Sequence, residues 1–550
     1  MEHIIGIDFG TTNTVAAIIT PAGPKIILDH EANKMTPSVV IKLNNKLVVG
    51  YDAKMNVAAF NQGNGIKEIK REIGKAGTVM LAGERYKPFE IAALILKKIK
   101  RNVEINLGEH VKKAIITVPA EFSDAQRNEI IQAGQIAGFE VEKIINEPTA
   151  AIMTYVYRQN VQNGTVLCYD FGGGTFDLSL ADIEDGKIKV RFVGGDRKLG
   201  GADIDKVVLS YIKRDFEQTM NCRLSTLGIY ELELEVEKLK ISLSKSQSAS
   251  INNMFTTTTG KKVKFFKKVD RTTFEQWIEP IIDKTIHHIE KLLNENNLNP
   301  QKDVEHILLV GGSSQIPLVR SKLQYLFGKR MTIGEVYAET SVAIGAALEA
   351  NNRLRRKVIP GVTVKQDVSP YSIGLKVGID GDNNVFDPII RKNFPYNQEY
   401  SEKYDTALDF QNTMLLEIYQ GEHSVATKNE HICDFEIDDI PEREAGKESV
   451  RVSFMYDDNG IINIKAIILS TGKQIKKAIK HESKGNQRQT DQSKTKVDRH
   501  FTSDQQFKEA LVLKKTLEQY SMSADSKKLE AALKQDDGKT ISNMRSNLLD

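Results

Sequence analysis

Cysteine is scarce in this chain: three in 550 residues (Cys168, Cys222 and Cys433), far apart and without CxxC or His-Cys spacing. That excludes a disulfide-stapled fold and a cysteine-rich metal site, and it fits a reducing compartment. No apolar run approaches the ~20 residues that a bilayer span requires. The opening MEHIIGID has neither a basic n-region nor a long apolar stretch, so no secretory leader is expected. Charge of one sign is also missing. With 76 basic residues against 73 acidic ones and a formal net charge of +3, the bulk chain offers no field for a polyanion. The clearest basic cluster, KKVKFFKK (261–268), reads as a solvated hairpin or helix edge. Nucleic acid and membrane are therefore not expected partners, and a cytoplasmic location is expected. Neither GxxxxGK(S/T) nor GxGxxG occurs, so a nucleotide site would need another loop chemistry.

What is present is a repeated turn. IIGIDFGTTNTVAAI (4–18) and VLCYDFGGGTFDLSL (166–180) share one layout: apolar strand, Asp-Phe-Gly, a glycine or hydroxyl turn, apolar strand. Glycines there let the backbone close on an anion, and the turn is expected to need positive φ. Gly10, Thr11, Thr12 and Asn13 supply donors in the first loop, and Gly172, Gly173, Gly174 and Thr175 in the second. Asp8, Asp170 and Asp177 would then stand near bound phosphates. Carboxylates so close to a polyphosphate repel it unless a divalent cation intervenes, which implies Mg²⁺. A third pair, Gly311 and Gly312 in LLVGGSSQIP (308–317), again follows a β-branched strand and precedes a helical pattern. Two tight hairpins with Asp and Gly as mere turn formers would explain one of these loops but not all three.

Around these loops, residues 4 to about 350 alternate β-branched runs with amphipathic stretches, the pattern of an α/β domain built as two related halves. Ser123 and Gln126 form a capping-box pattern before SDAQRNEIIQAGQIAG. A further helix is predicted through FEQWIEPIIDKTIHHIEKLL, with Trp277 as packing rather than a ligand platform. Near 355 a basic connector begins. Beyond it, YSIGLKV, TMLLEIY, VRVSFMY and IINIKAII alternate with turn signals (380–383, 457–460, 470–473), predicting an antiparallel β domain of about 110 residues. HESKGNQRQTDQSKTKVDRH (481–500) is polar enough to read as a linker. QQFKEALVLKKTLEQY and SKKLEAALKQ predict two short helices too small for a core of their own.

The motifs IGIDFGTTNT (5–14), IKREIG (69–74), ITVPAEFSDAQR (116–127), INEPTAA (145–151), YDFGGGTFDLS (169–179), GGDRKLGGADID (194–205), LLVGGSSQIP (308–317) and SVAIGAA (341–347) run in order. DVSPYSIGL (367–375), YQGEHSVATKN (419–429) and DDNGIINIKA (457–466) follow them. This series resembles the seventy-kilodalton heat-shock chaperone family over roughly residues 3 to 475. The resemblance implies a duplicated actin/hexokinase-like ATPase domain (1–355) and an interdomain linker (356–366). It further implies a β-sandwich peptide-binding domain (367–480), followed by a polar linker (481–502) and a short helical lid-like tail (503–550). It implies slow hydrolysis of ATP to ADP, coupled to capture and release of extended apolar client peptides. Mg²⁺, a J-domain co-chaperone and a nucleotide-exchange factor would be partners in that cycle.

By the same resemblance Lys70, Glu147, Asp170 and Thr175 are catalytic. Asp8, Asp170 and Asp177 organise the metal largely through water. Gly10, Thr11, Thr12, Asn13, Gly172, Gly173, Gly174, Gly201, Gly311, Gly312, Ser313 and Ile316 hold the nucleotide with Glu237, Lys240 and Ser244. Ile241 stands where some relatives have arginine, so guanidinium stacking on the base is absent. Ile373, Leu375, Ala407, Met414, Leu416 and Ile418 match the peptide groove, and Pro119 and Arg127 the interdomain signalling region. The connector lacks the family's run of leucines, with Val362 and Val364 as a weaker substitute. The stretch around 245–270 is compact, which implies a reduced exchange-factor grip. The short lid implies faster peptide exchange. A nucleotide-gated scaffold with one dedicated partner, and a small-molecule kinase of the same fold, are the alternatives.

Overall fold

The computed structural model describes residues 3–29, 32–43, 46–328, 332–334, 338–354, 357–379, 382–478 and 486–501. Beyond these it describes 507, 510, 511, 513, 514, 523–535, 537, 538, 540, 541 and 544. The start of the connector (355–356), the tip of the turn expected at 380–383, the first residues of the expected polar linker (481–485) and most of the helix expected at 505–520 lie outside them.

The repeated turn organises two sheets. In the first lobe, Glu140–Asn146, Lys113–Val118 and Ile4–Phe9 run parallel, and Asn13–Thr20 and Gly23–Ile27 continue the sheet antiparallel. In the second lobe the order is Thr332–Gly334, His306–Val310, Gly164–Phe171, Phe176–Glu184, Lys187–Asp196. Each sheet thus has a parallel strand beside a hairpin, and the hairpins superpose in register. Asp8 pairs with Val15 in one, and Asp170 with Asp177 in the other. The β-branched residues of these strands are buried on both faces, as helices on either side require.

Two helices, Glu147–Gln159 and Ser341–Arg353, cross where the lobes meet. SVAIGAA is small there for a reason: a Cβ on Gly345 would lie 1.8 Å from the Ala150 carbonyl oxygen. The backbones touch, and any side chain would part the lobes. The predicted helix through Trp277 spans Arg271–Glu295 and buries Phe274, Ile278, Ile282 and Ile289 on one face. Trp277 stacks on Tyr211 at 4.8 Å between ring centres, at the rim of that core. KKVKFFKK forms most of the second strand of the hairpin Ser248–Thr256 and Lys262–Asp270, with Phe265 inward and Phe266 outward.

The connector does not lie free. Thr363–Gln366 adds to the second lobe's sheet as a parallel sixth strand beside Lys187–Asp196, and Val362 is buried in the interlobe core. Val362 therefore docks despite the missing leucines, because backbone pairing carries what side chains do not. The β domain follows as two four-stranded sheets. One orders Asp382–Ile390, Ile373–Ile379, Met414–Gln420, Glu430–Ile437. The other orders Tyr400–Asp405, Ser449–Tyr456, Ile462–Ile468, Gln474–Ala478.

The polar stretch read as a linker is corrected by the structure. Asn486–Asp498 is a helix lying on the helices Pro88–Leu107 and Asp124–Ile136 of the first lobe. Its polarity misled because it docks through polar contacts rather than an apolar stripe. Ser493 donates to Glu90 at 2.7 Å, Lys496 reaches Glu90 at 2.9 Å, and Lys97 pairs with Asp498, while Val497 enters the core. Farther along, Phe507, Leu511, Leu529, Leu533 and Ile541 cluster on Ile105, and Arg101 lies 3.7 Å over the Phe507 ring. The second expected tail helix spans Ser523–Lys534. Among the described residues, no helix is long and apolar enough to cross a membrane.

Candidate nucleotide site and its coupling surfaces

The hairpin turns face each other across a cavity of about 240 Å³ between the lobes. Of the residues expected to hold nucleotide, Gly10, Thr11, Thr12, Asn13, Gly172, Gly173, Glu237, Lys240, Ser244, Gly311, Gly312, Ser313 and Ile316 line it. Gly174 and Gly201 stand just behind. Gly201 opens the helix Gly201–Met220 and donates to the Gly172 carbonyl at 2.9 Å, while Ser313 Oγ donates to the same carbonyl at 3.0 Å. The second loop is thus held from both sides.

The expected positive φ is not found: Gly10, Gly172, Gly173 and Gly174 all avoid the left-handed region. Gly173 and Gly174 are required by contact with the facing loop instead. A Cβ on Gly173 would lie 1.9 Å from Thr12 Oγ1, and one on Gly174 would lie 2.4 Å from Thr11 Cγ2. The two loops belong to different lobes, so their approach sets how far the cleft closes.

The catalytic candidates come together on the cavity floor. Lys70 sits on the short helical turn Ile69–Glu72 and is buried, its ammonium bonded to the Glu147 carboxylate. Glu147 is the first residue of the helix Glu147–Gln159, where the positive helix end favours an anion. Asp8, Asp170 and Thr175 line the same space, and Asp177 lies directly behind. Burial pushes the Asp8 carboxyl up to about 7, with the Glu147 charge adding to it and Lys70 opposing. Burial and the Glu147 charge push Asp177 up to about 8, and Asp170 is raised well above the usual carboxylate range for the same reasons. The carboxyls of Glu147, Asp170 and Asp177, all buried, and of half-buried Asp8 gather here around the Lys70 ammonium.

Among the described residues these carboxylates do not close into a direct cation cage. They do fit a hydrated Mg²⁺: Asp177 Oδ2 is buried without a hydrogen-bond partner, and the negative excess calls for a cation.

At the adenosine end Lys240 donates to the Gly201 carbonyl at 3.2 Å and pairs with Asp205 at 2.7 Å. Lys54 of the first lobe pairs across the cleft with Glu237 at 2.7 Å. Ser244 Oγ donates to the Lys240 carbonyl. Ile241 lies half-exposed on the cavity wall and presents an apolar surface to a base.

Arg71 stands beside Lys70 on the turn Ile69–Glu72. It proves to be a bridge between lobes: it donates to the Gly174 carbonyl at 2.8 and 3.1 Å and pairs with Asp203. Its place beside Lys70 on the same turn was the only signal.

Arg127 is fully buried. Its guanidinium donates to the Phe122 and Ala120 carbonyls, to Asn146 Oδ1 at 2.7 Å and to the Asn459 carbonyl of the β domain at 3.3 Å. Pro119 opens the loop that this guanidinium clamps, accepting from Phe122 N–H. Nearby, Asp124 accepts from Ile462 N–H at 2.9 Å, and Asp367 accepts from Thr149 and Asn146. Ser123 completes its capping pattern through Gln126 but spends its hydroxyl on Glu430 of the β domain.

The residues matched to a peptide groove divide. Ile373, Leu375, Met414, Leu416 and Ile418 are buried in the core between the two sheets. Ala407 is exposed in the loop that follows Tyr400–Asp405, beside the exposed Leu408 and Phe410; Leu415 is exposed on the strand after that loop.

A two-lobed cleft with paired glycine loops, joined by a strand-forming linker to a docked β-sandwich and a helical tail, is the architecture of a nucleotide-binding domain followed by sheet and helical domains. The chain matches the family model described as Hsp70 protein over residues 4–79 and 76–550. It is 35% identical over 512 residues to proteins named chaperone protein DnaK from two strains of Halobacterium salinarum, covering 92% of this chain and 79% of theirs. The chain belongs to the Hsp70 family, whose members are ATP-dependent chaperones.

Proposed function

We propose that the chain works as an ATP-hydrolysing chaperone in which the cleft between the lobes times the capture and release of extended peptides by the β domain. The observation that carries this reading is the joining of the two parts: the linker strand is paired into the sheet that bears Asp170 and Asp177. A change in that lobe's position is felt by the strand leading to the β domain. A scaffold whose β domain ignored the nucleotide would not need this pairing.

At the reacting end, the chain's groups divide by charge. Lys70 faces the terminal phosphate and offsets the charge that develops when water attacks it. Glu147 orients Lys70 through their ion pair, and with Asp170 and Thr175 it positions the attacking water. Asp8, Asp170 and Asp177 would hold Mg²⁺ through its water shell, and the bound cation would supply neutralisation of the phosphate oxygens. The glycine loops and Arg71 set lobe closure. The apolar walls at Ile241 and Ile316 accept the base, and Glu237, Lys240 and Ser244 flank the adenosine.

We assign residues 1–355 to the ATPase domain, 356–366 to the linker, 367–480 to the peptide-binding domain, and the remainder to a lid that here rests on the first lobe. Client peptides would meet the face bearing Ala407, Leu408, Phe410 and Leu415, beside the strand whose other side packs Met414, Leu416 and Ile418. A J-domain protein is the expected stimulating partner. The test is the dissociation rate of a fluorescent Leu-rich peptide under ADP and after ATP addition. The expected result is faster release with ATP; equal rates would overturn the coupling.

A further inference from the structure

Glu121 has no part in the chemistry above, yet it lies where three bodies meet. It belongs to the loop between the strand Lys113–Val118 and the helix Asp124–Ile136 of the first lobe. Its backbone carbonyl accepts from the Tyr371 hydroxyl of the β domain at 3.2 Å. Its carboxylate, 12% exposed, lies 3.9 Å from the ammonium of Lys392, also of the β domain. From the second lobe Arg197 places its guanidinium 5.6 Å from the Tyr371 ring centre and donates to Gln126 of the first lobe at 2.7 Å.

Arg197 follows Asp196, which the sheet pairs with Phe176, the neighbour of Asp177. The joint is therefore one strand step from the catalytic carboxyls. The charge of Glu121 contributes, after burial and Glu147, to holding the Asp177 carboxyl up. Lys392 and Arg197 pull the Glu121 carboxyl down against its own burial. Asn393 fastens the same β-domain loop to the second lobe, its Oδ1 accepting from Val193 N–H at 3.0 Å.

We propose that Glu121 is a positioning residue that reads lobe closure and β-domain docking at one point, through Lys392, Tyr371 and Arg197. The joint is complete only when all three bodies are together. If the β domain leaves, Glu121 keeps only the weaker pull of Arg197 and Lys291 while still close to Asp196 and Asp177, and a partly buried anion so weakly paired is costly. The loop from Pro119 to Ser123 then has reason to take a second position, and that loop is clamped by Arg127 and leads into the helix bearing it. The inference rests on the ATP-coupled reading above and names a residue through which the coupling passes.

The test compares Glu121→Gln, Lys392→Gln, the double variant and Lys392→Arg in the full chain. The readouts are ATP-driven release of the fluorescent peptide and its affinity in ADP. Each neutral single variant is expected to cut the ATP-driven acceleration roughly fivefold, the low end of ordinary coupling, with affinity in ADP unchanged. The double variant should lose no more than either single, because both remove one interaction. Lys392→Arg should retain coupling. Wild-type acceleration in both singles, or additive losses in the double, would overturn this inference alone. A wild-type chain showing no acceleration by ATP would overturn the parent reading and this inference with it.

Discussion

Lys70 is the proposed charge stabiliser of the reaction, its buried ammonium bonded to Glu147 beside the carboxyls of Asp8, Asp170 and Asp177. Lys70→Ala is expected to slow single-turnover ATP hydrolysis by about 10²–10³-fold, the usual loss for one electrostatic stabiliser. Nucleotide affinity should be largely kept, since the loops and base walls remain. Hydrolysis at the wild-type rate would remove Lys70 from the mechanism. Gly174 gives the second residue-scale test. In Gly174→Ala the new Cβ would meet the buried, β-branched Thr11 of the facing lobe, whose side chain has little freedom to move aside. Overpacking of roughly 1–3 kcal/mol should weaken binding of a fluorescent ADP by about 5-fold to 150-fold. Unchanged affinity would show that the cleft does not need this closure.

Among the elements, the linker strand and the docked helix answer different questions. Val362 is buried beside the strand Thr363–Gln366, so Val362→Asp places an unpaired charge in the interlobe core. The strand should leave the sheet, and peptide should no longer accelerate hydrolysis, while the unstimulated rate persists. Steady-state ATPase assays with and without peptide decide it; retained stimulation would show that the strand is not the coupling element. The helix Asn486–Asp498 shows why its sequence read as a linker. A helix that docks through Ser493, Lys496 and Asp498 onto Glu90 and Lys97 leaves no apolar periodicity to find. The linker strand was hidden for a related reason: backbone pairing leaves no signature in side chains.

For the whole molecule, docking is linked to protons with opposite signs at its two contacts. Burial holds the Asp124 carboxyl up at about 7 in the docked β domain, against its bond from Ile462 N–H. Released, it returns towards the ordinary value near 4. The docked form binds more protons in between, so β-domain docking weakens as pH rises from about 4 to 7 and is weakest above. His500, which contacts Tyr86 on the first lobe, is lowered to about 4 by burial and by Arg499. It is docked neutral, so tail docking weakens as pH falls below about 6.5. Donor–acceptor dyes on lobe and β domain, and on lobe and tail, should report these opposite slopes between pH 5.5 and 8. Two flat profiles would contradict the assignment of these buried groups to the docking surfaces.

The sequence by itself determined the two-lobed plan, because Asp-Phe-Gly turns between β-branched strands are local and repeat along the chain. It also pointed to most of the residues that line the cleft, which lie in short contiguous motifs on those turns. The order α/β domain, connector, β domain was legible from the change in hydrophobic period. Only the tertiary structure decided what lies between the parts. It showed that Gly173 and Gly174 serve cross-lobe contact rather than positive φ, and that Arg71 spans the cleft. It placed five expected groove residues in the sandwich core, where alternation alone cannot tell an inward face from a groove. It also brought Glu121, Arg197 and Lys392 to one joint. Those three residues are far apart in the chain and unremarked by any local pattern, and their meeting depends on how three bodies pack.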